Sequence, residues 1–484
     1  MISSSVIRKV PWVKEKERAL DIAIQSFYMI GQGLSYFKKF DVDFEIKNHL
    51  AFSSGKLYYD QREIRAAKEY LLNQKDLAQW ASEFTNTFLS FAEKYHKTLR
   101  KNGSVDFSSF SLSELDQWYQ SHSDAVCTLV PYSFIVSMIL ESVVHDRIVR
   151  HLQNSSTEPE SLYRSLVVPR KVTTTNLEYR ERLKLATLYE KSGADFFEKE
   201  AQSIDAYLEE FSWLYYYKPV DTILDREALV PALQKTLATK NQSKEPSVHD
   251  ATEDSYTKAA ILLTDLDFSP TDRSLIGTMQ ENAWIRTFRR ELMSYAFYTS
   301  RNFYERASEL LNVQRDDFRY AACWEIPGMF QSGSFLSEEE VARRKQDFTI
   351  VRYEGELAIA SGKDAEGYVV HGTVSMTVEE LRGNPVFPGK VPGRVKIVRN
   401  QADASVFQTG DILVTPTVAV WMTSLVQACS GIITDEGGVL SHTAVVAREF
   451  RKPCIVGTHY ATEVLQDGMK ILLDADTGSV SLEA

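Results

Sequence analysis

The sequence has 484 residues, 44% hydrophobic and 25% charged, a balance that suits a globular chain with a sizeable core and about two to four domains. A formal net charge of -11 argues against an electrostatic grip on nucleic acid or anionic lipid, and no basic half is hidden: from residue 387 onward there are 8 Lys+Arg against 10 Asp+Glu. Cys127, Cys323, Cys429 and Cys454 are scattered, without a C-x-x-C pair or a metal-ligand spacing, and read as buried reduced thiols.

The start, Met1 to Asp21, is charged and contains Pro11, unlike the apolar segment of a signal peptide. The longest apolar stretch, around Ser133–Val144, is interrupted by Glu141 and is too short to span a bilayer. A cytoplasmic, reducing location is expected, with no membrane partner.

Residues 1–370 read as a mostly α-helical region. Glu63–Phe91, Tyr179–Phe211 and Asn282–Leu311 carry apolar residues at three- and four-residue spacing in a background of strong helix formers. No convincing run of strands is visible before about residue 345, and there is no fixed-period repeat. Gln153–Glu160 is a polar turn, and 238–254 reads as an exposed, mobile loop between helices, in a region that could be one body or two subdomains. Short apolar and polar stretches with Gly355, Gly362 and Gly367 predict a small β-element over 347–370.

Gly383, Pro385, Pro388, Gly389, Pro392 and Gly393 crowd together, and a hinge or linker is expected over 371–386. Beyond it the pattern turns α/β. Strands are predicted at Arg394–Val398, Asp411–Pro416, Gly431–Glu436 and Pro453–Thr458, and helices at Ala419–Ala428, Ser441–Phe450 and Ala461–Asp467. A hairpin of Met469–Asp474 and Val480–Leu482 closes the pattern. Strands alternating with helices imply a small layered α/β domain over 387–484.

Within it, Thr434–Glu449 reads TDEGGVLSHTAVVARE. A strand runs into Gly437 and Gly438, which allow close approach of another molecule. Ser441 stands where an N-cap belongs and His442 at the first helical position. Unpaired N–H groups and the positive dipole end make a helix start suitable for a phosphate, and a neutral imidazole nitrogen is a competent nucleophile. His442 is therefore the candidate phosphoryl acceptor. Thr434, Glu436, Gly437, Gly438, Ser441 and Thr443 are the candidate phosphate-binding residues.

This segment resembles the swivelling phosphohistidine domain, or mobile domain, of the phosphoenolpyruvate-utilising enzymes. The family pattern is roughly T-D-x-G-G, then S/C-H, A-x-[IV]-A-R-E and P-x-[IV]-V-G. Here it is met by Thr434, Asp435, Gly437, Gly438, Ser441, His442, Ala444, Ala447, Arg448, Glu449, Pro453, Val456 and Gly457. PGKVPGRVKIV, TGDILVTP and DGMKILLDADTGSV fit the flanking pattern, so the resemblance covers 387–484. Thr443 replaces the alanine usual after the histidine, and Leu440 stands where plant dikinases carry a regulatory threonine.

The resemblance implies a phosphotransferase, dikinase-like in using a phosphohistidine. Complete members load the histidine from ATP on an ATP-grasp domain. This sequence has no Walker-type phosphate loop, and its helical region does not read as an ATP-grasp. The phosphoryl group would come from a separate ATP-grasp protein. ATP and Mg²⁺ are expected on that partner, with no tightly bound cofactor and no metal ligand here. The phosphoryl group would pass to a small-molecule acceptor held by the helical region.

The order WIRTFRREL, RNFYERASELL, DDFRYAACWEI and EEEVARRKQDF resembles the acceptor-side domain that precedes the mobile domain in rifampin phosphotransferase-like relatives. Arg286, Arg289, Arg290, Arg301 and Arg306 could receive the phosphohistidine or an anionic substrate, or could form a charged face with pairs such as Arg301–Glu305. Phe211, Trp213, Tyr215, Tyr216 and Tyr217 could line a substrate pocket or pack in the core. The alternative to an enzyme is a scaffold whose mobile domain acts as a phosphorylation-sensitive switch.

Overall fold

The computed structural model describes residues 12–17, 21–53, 56–153, 159–169, 171–216, 223–242, 253–368, 378–399, 401–404, 406–418, 422–436, 442–458 and 460–483. The chain forms two compact units. One is helical, made of Leu20–Lys47 and Ile64–Gln346. The other holds the sheets, made of Met1–Ala19, Asn48–Glu63 and Asp347–Ala484.

The helical unit is organised by two long helices, Leu77–Asn102 and Pro270–Thr299. Each starts at a side-chain cap. Asp76 accepts from the Gln79 N–H at 2.9 Å, and Ser269 from the Asp272 N–H at 3.1 Å with Pro270 at the first turn. Phe88 stacks on Tyr132 with ring centroids 4.2 Å apart. The Tyr132 hydroxyl donates to Asn282 Oδ1 at 2.6 Å, giving the aromatic layer one satisfied polar tie. The helical run Leu112–Leu152 contains a window apolar enough to cross a bilayer, and 76% of that window is buried inside the protein. A π-helical turn, Ile135–Leu140, lies within this run.

The sheet unit contains a five-stranded antiparallel sheet that the sequence pattern did not announce. Its strands are β1 (Trp12–Glu17), β2 (His49–Phe52), β3 (Lys56–Asp60), β4 (Phe348–Tyr353) and β5 (Glu356–Ser361), in the order β1-β3-β2-β4-β5. The expected β-element near 347–370 is the β4–β5 hairpin. Its partner is β2, with Leu50 opposite Val351 and Ala51 opposite Ile350. The region 1–370 is therefore not one helical block: residues 48–63 and those from 347 belong with the sheets. Leu50, Tyr58, Val351 and Tyr368 form the small core of this sheet.

The second sheet has seven strands: β6 (Asn384–Phe387), β7 (Lys390–Ile397), β8 (Ile412–Thr415), β9 (Gly431–Thr434), β10 (Cys454–Val456), β11 (Lys470–Asp474) and β12 (Ser479–Leu482). The order is β12-β11-β7-β8-β9-β10-β6, with β7, β8, β9 and β10 parallel. The central strands β8, β9 and β10 read as short apolar runs because both faces are covered. Alternate residues separate cleanly. Ile412, Val414, Ile433 and Ile455 enter one core, and Leu413, Ile432, Cys454 and Val456 the other. Helix Ala461–Val464 packs into the first core, helices Thr423–Ala428 and His442–Glu449 into the second.

The expected linker over 371–386 needs correction. Residues 371–377 lie outside the described residues, but from Val378 the chain is part of the sheet's core. Of the glycines and prolines taken as hinge signals, Pro385, Pro392 and Gly393 sit inside strands of the sheet. Pro385 pairs with Ile455 in β10, and Gly393 with Ile471 in β11. A Cβ on Gly383 would stand 2.6 Å from Ile455 Cγ2 and 2.7 Å from the Val456 carbonyl oxygen, so this glycine is set by close packing and not by mobility.

Candidate functional site

The parallel strands β8 and β9 each end on a fully buried threonine whose hydroxyl closes the turn that follows. Thr415 Oγ1 donates to the Thr417 carbonyl at 3.1 Å, and Thr434 Oγ1 to the Glu436 carbonyl at 2.7 Å. The Thr458 hydroxyl and N–H both donate to the Thr434 carbonyl at 3.0 Å, joining the turn after β10 to the end of β9. Asp435, 1% exposed, accepts the Thr462 N–H at 2.9 Å and the Thr462 hydroxyl at 2.5 Å. The carboxyl edge of the sheet is thus rigidly cross-tied, at the position where open α/β sheets bind ligands.

Helix His442–Glu449 begins just beyond this edge. Ala444, Val446 and Ala447 anchor it in the core, and the Phe450 N–H continues the ladder to the Val446 carbonyl at 3.0 Å. Its first turn therefore stands at the carboxyl side of the parallel strands, where the positive end of a helix dipole is suited to an anion. Cys429 lies buried in the same core. Burial pushes its thiol up to about 12, against the opposing pull of Lys452, so it is held neutral and offers no competing nucleophile.

The candidate residues have different fates. His442 is the first residue of the helix. Gly437, Gly438 and Ser441 lie outside the described residues, while Glu436 is half-buried at the end of the turn. Thr434 and Thr443 are corrections. Both are completely buried: the Thr434 hydroxyl is bonded to Glu436, and Thr443 Oγ1 accepts the Val418 N–H at 3.1 Å. They hold the turns around the helix start and do not present hydroxyls to a phosphate. Asp435, Thr458 and Thr462 were missed as site-builders. For Thr458 the signal was a threonine closing the short apolar stretch IVGT just after β10, as Thr415 and Thr434 close ILVT and GIIT.

In the helical unit the arginines mostly have protein partners. Arg286 reaches Glu141 at 2.9 Å, Arg289 is buried with Nη1 on Met293, and Arg301 bonds the Tyr298 carbonyl at 2.9 Å. Arg306 bonds the Phe110 carbonyl at 3.1 Å and Glu309 at 3.0 Å. The suggested Arg301–Glu305 pair is not formed, since Glu305 takes Arg315 at 2.8 Å. Arg290 alone of the five has no such partner among the described residues. Of the aromatics, Phe211 and Tyr216 are core, Trp213 is edge-on to Tyr295, Tyr215 is half-buried and Tyr217 lies outside the described residues.

Residues 407–478 match the family described as PEP-utilising enzyme, mobile domain, and this chain carries that domain. A probable phosphoenolpyruvate synthase of Methanothermobacter thermautotrophicus is 36% identical over 175 residues, 32% of this chain and 25% of the relative. A second, from Archaeoglobus fulgidus, is 40% identical over 100 residues, 21% of this chain and 13% of the relative. A rifampicin phosphotransferase of Bacillus cereus is 33% identical over 121 residues, 24% of this chain and 14% of that protein. The chain thus spans a quarter or less of these relatives' length. The Methanothermobacter alignment is longer than the mobile domain itself.

Proposed function

We propose that this protein is a phosphotransferase component whose mobile domain carries a phosphoryl group on His442. The observation that carries the reading is that His442 opens a helix at the carboxyl edge of a parallel sheet, within residues that match the mobile domain. In the first half-reaction the neutral ring nitrogen, Nε2 in this reading, attacks the donor's phosphorus. An N–P bond forms as the P–O bond to the leaving group breaks, and its electron pair departs with that group. In the second half an acceptor oxygen attacks the same phosphorus and gives up its proton. The N–P bond breaks and the imidazole recovers its lone pair.

The donor is a separate ATP-grasp protein that supplies ATP and Mg²⁺, and the acceptor is a small molecule bound by the helical unit, in the reducing cytoplasm that four free, buried cysteines suit. Splitting the reaction keeps nucleotide and acceptor in separate protected sites. The dipole and N–H groups of the His442–Glu449 helix would stabilise the dianionic phosphohistidine, and Glu436, with the segment through Ser441, would shape its surroundings.

The test is mass spectrometry of the His442 peptide under alkaline conditions. The protein is incubated with Mg²⁺ and ATP, or with phosphoenolpyruvate, each with and without host extract. An acid-labile phosphoryl group on His442 that needs ATP and extract supports the reading. Labelling by phosphoenolpyruvate alone overturns the donor assignment. No labelling of folded protein under any condition overturns the carrier.

A further inference from the structure

We propose that the helical unit holds a small-molecule site between helices Thr174–Ser192 and Pro270–Thr299, built for a ring-sized hydroxy acid. This names the acceptor class for the transfer proposed above and rests on that reading, although binding itself does not need His442.

The site is a half-open cavity of about 180 Å³, a little larger than a void of about 150 Å³ that accommodates benzene. The first helix contributes Glu178 and Arg182, and the second Arg290, Glu291 and Ser294. Tyr215 completes the wall.

Part of this polar lining is already committed. Glu178 Oε1 accepts the Tyr207 hydroxyl at 2.5 Å and the Tyr215 hydroxyl at 2.7 Å, and faces Arg182 Nε at 2.8 Å. Arg182 Nη1 donates to Thr236 Oγ1 at 3.1 Å. These groups hold one another and fix the wall's shape, so little reorganisation is left for a ligand to impose.

Arg290 and Glu291 are different. Glu291 is 5% exposed. Its Oε1 accepts the Thr175 N–H at 2.6 Å and the Thr175 hydroxyl at 2.8 Å. Among the described residues, nothing pairs with its Oε2 or with the exposed guanidinium of Arg290. With no donor on it among the described residues, this oxygen is open to the cavity that Glu291 lines, where a ligand donor can bond to it. A neutral hydroxyl suits it better than an ammonium, because Arg182 and Arg290 line the same cavity. The guanidinium is matched by a carboxylate, which it can grip with two parallel bonds. Tyr179, Leu214 and Tyr215 supply flat and apolar surface for a ring between these two ends.

The probe is 4-hydroxybenzoate, titrated calorimetrically into the full chain, with benzoate and phenol as single-handle controls. Saturable one-to-one binding is expected, with each control about tenfold or more weaker. Arg290→Gln, at an exposed position that does not threaten folding, should weaken 4-hydroxybenzoate about tenfold and leave phenol unchanged. Glu291→Gln should weaken 4-hydroxybenzoate and leave benzoate unchanged. His442→Ala should bind like the wild type. No saturable binding, equal binding of all three compounds, or indifference to Arg290→Gln overturns the site. The two proposals fail separately: a labelled His442 with no binding here removes the site and leaves the carrier, and binding with no labelling does the reverse.

Discussion

Asp435 grips Thr462 with both carboxylate oxygens, one on the backbone N–H at 2.9 Å and one on the hydroxyl. The aspartate of the T-D-x-G-G motif is thereby a strut between the end of β9 and the helix after β10, buried out of reach of a phosphate. Asp435→Ala should destabilise the sheet unit by about 1–3 kcal/mol, because it strands buried donors. Hydrogen exchange read by mass spectrometry should show faster exchange across residues 431–436 and 460–465. Unchanged exchange there would refute the strut.

Thr443→Val keeps the shape of the side chain but removes the acceptor for the Val418 N–H. A loss of about 1–2 kcal/mol in unfolding free energy is expected, with slower phosphoryl labelling of His442, and Thr443→Ser should restore both. If Thr443 contacted phosphate directly, labelling would fall without any change in stability.

Gly383→Ala distinguishes packing from hinge motion. The added methyl meets Ile455 and the Val456 backbone at 2.6–2.7 Å, so a destabilisation of about 1–3 kcal/mol is expected in thermal unfolding. A flexible hinge glycine would accept alanine with little effect.

Acid should unfasten the helical unit at the Pro270–Thr299 start. Burial tends to raise the Asp272 carboxyl, but hydrogen bonds from Ser269 at 2.7 Å and Arg147 at 2.6 Å outweigh it and hold the group below its ordinary 3.8. A depressed carboxylate stabilises the fold above its unfolded value, and that contribution is lost as pH falls through the folded one. Asp272→Asn should therefore lower the melting temperature at pH 7, with the gap to wild type closing below about pH 4. A gap that stays constant to pH 3 would exclude the linkage.

The central strands of the seven-stranded sheet were legible because they are buried on both faces, so ILVT, GIIT and CIV stand out as short apolar runs, whereas the edge strand β6 was read as linker. The five-stranded sheet was not legible. HLAF and KLYYD are four- and five-residue strands, and the first finds β4 only across the whole helical unit, a pairing no local pattern reports. The cluster around Gly383 misled for a related reason: glycine marks tight backbone approach as readily as freedom, and only the neighbours decide which. Thr443 looked like a phosphate hydroxyl because sequence places it beside His442. One step along a helix turns a side chain by about 100°, and here that step leads into the core.

The pairing of His49–Phe52 with Thr349–Arg352 also orders events at the ribosome. Residues 64–346 emerge between the two strands, so the entire helical body is available to fold before β4 exists. Until then β2 has its β4-facing edge open, a template for another chain. Slow elongation after residue 346 would lengthen that exposure, and chaperone dependence during synthesis should be governed by this delay more than by the helices themselves.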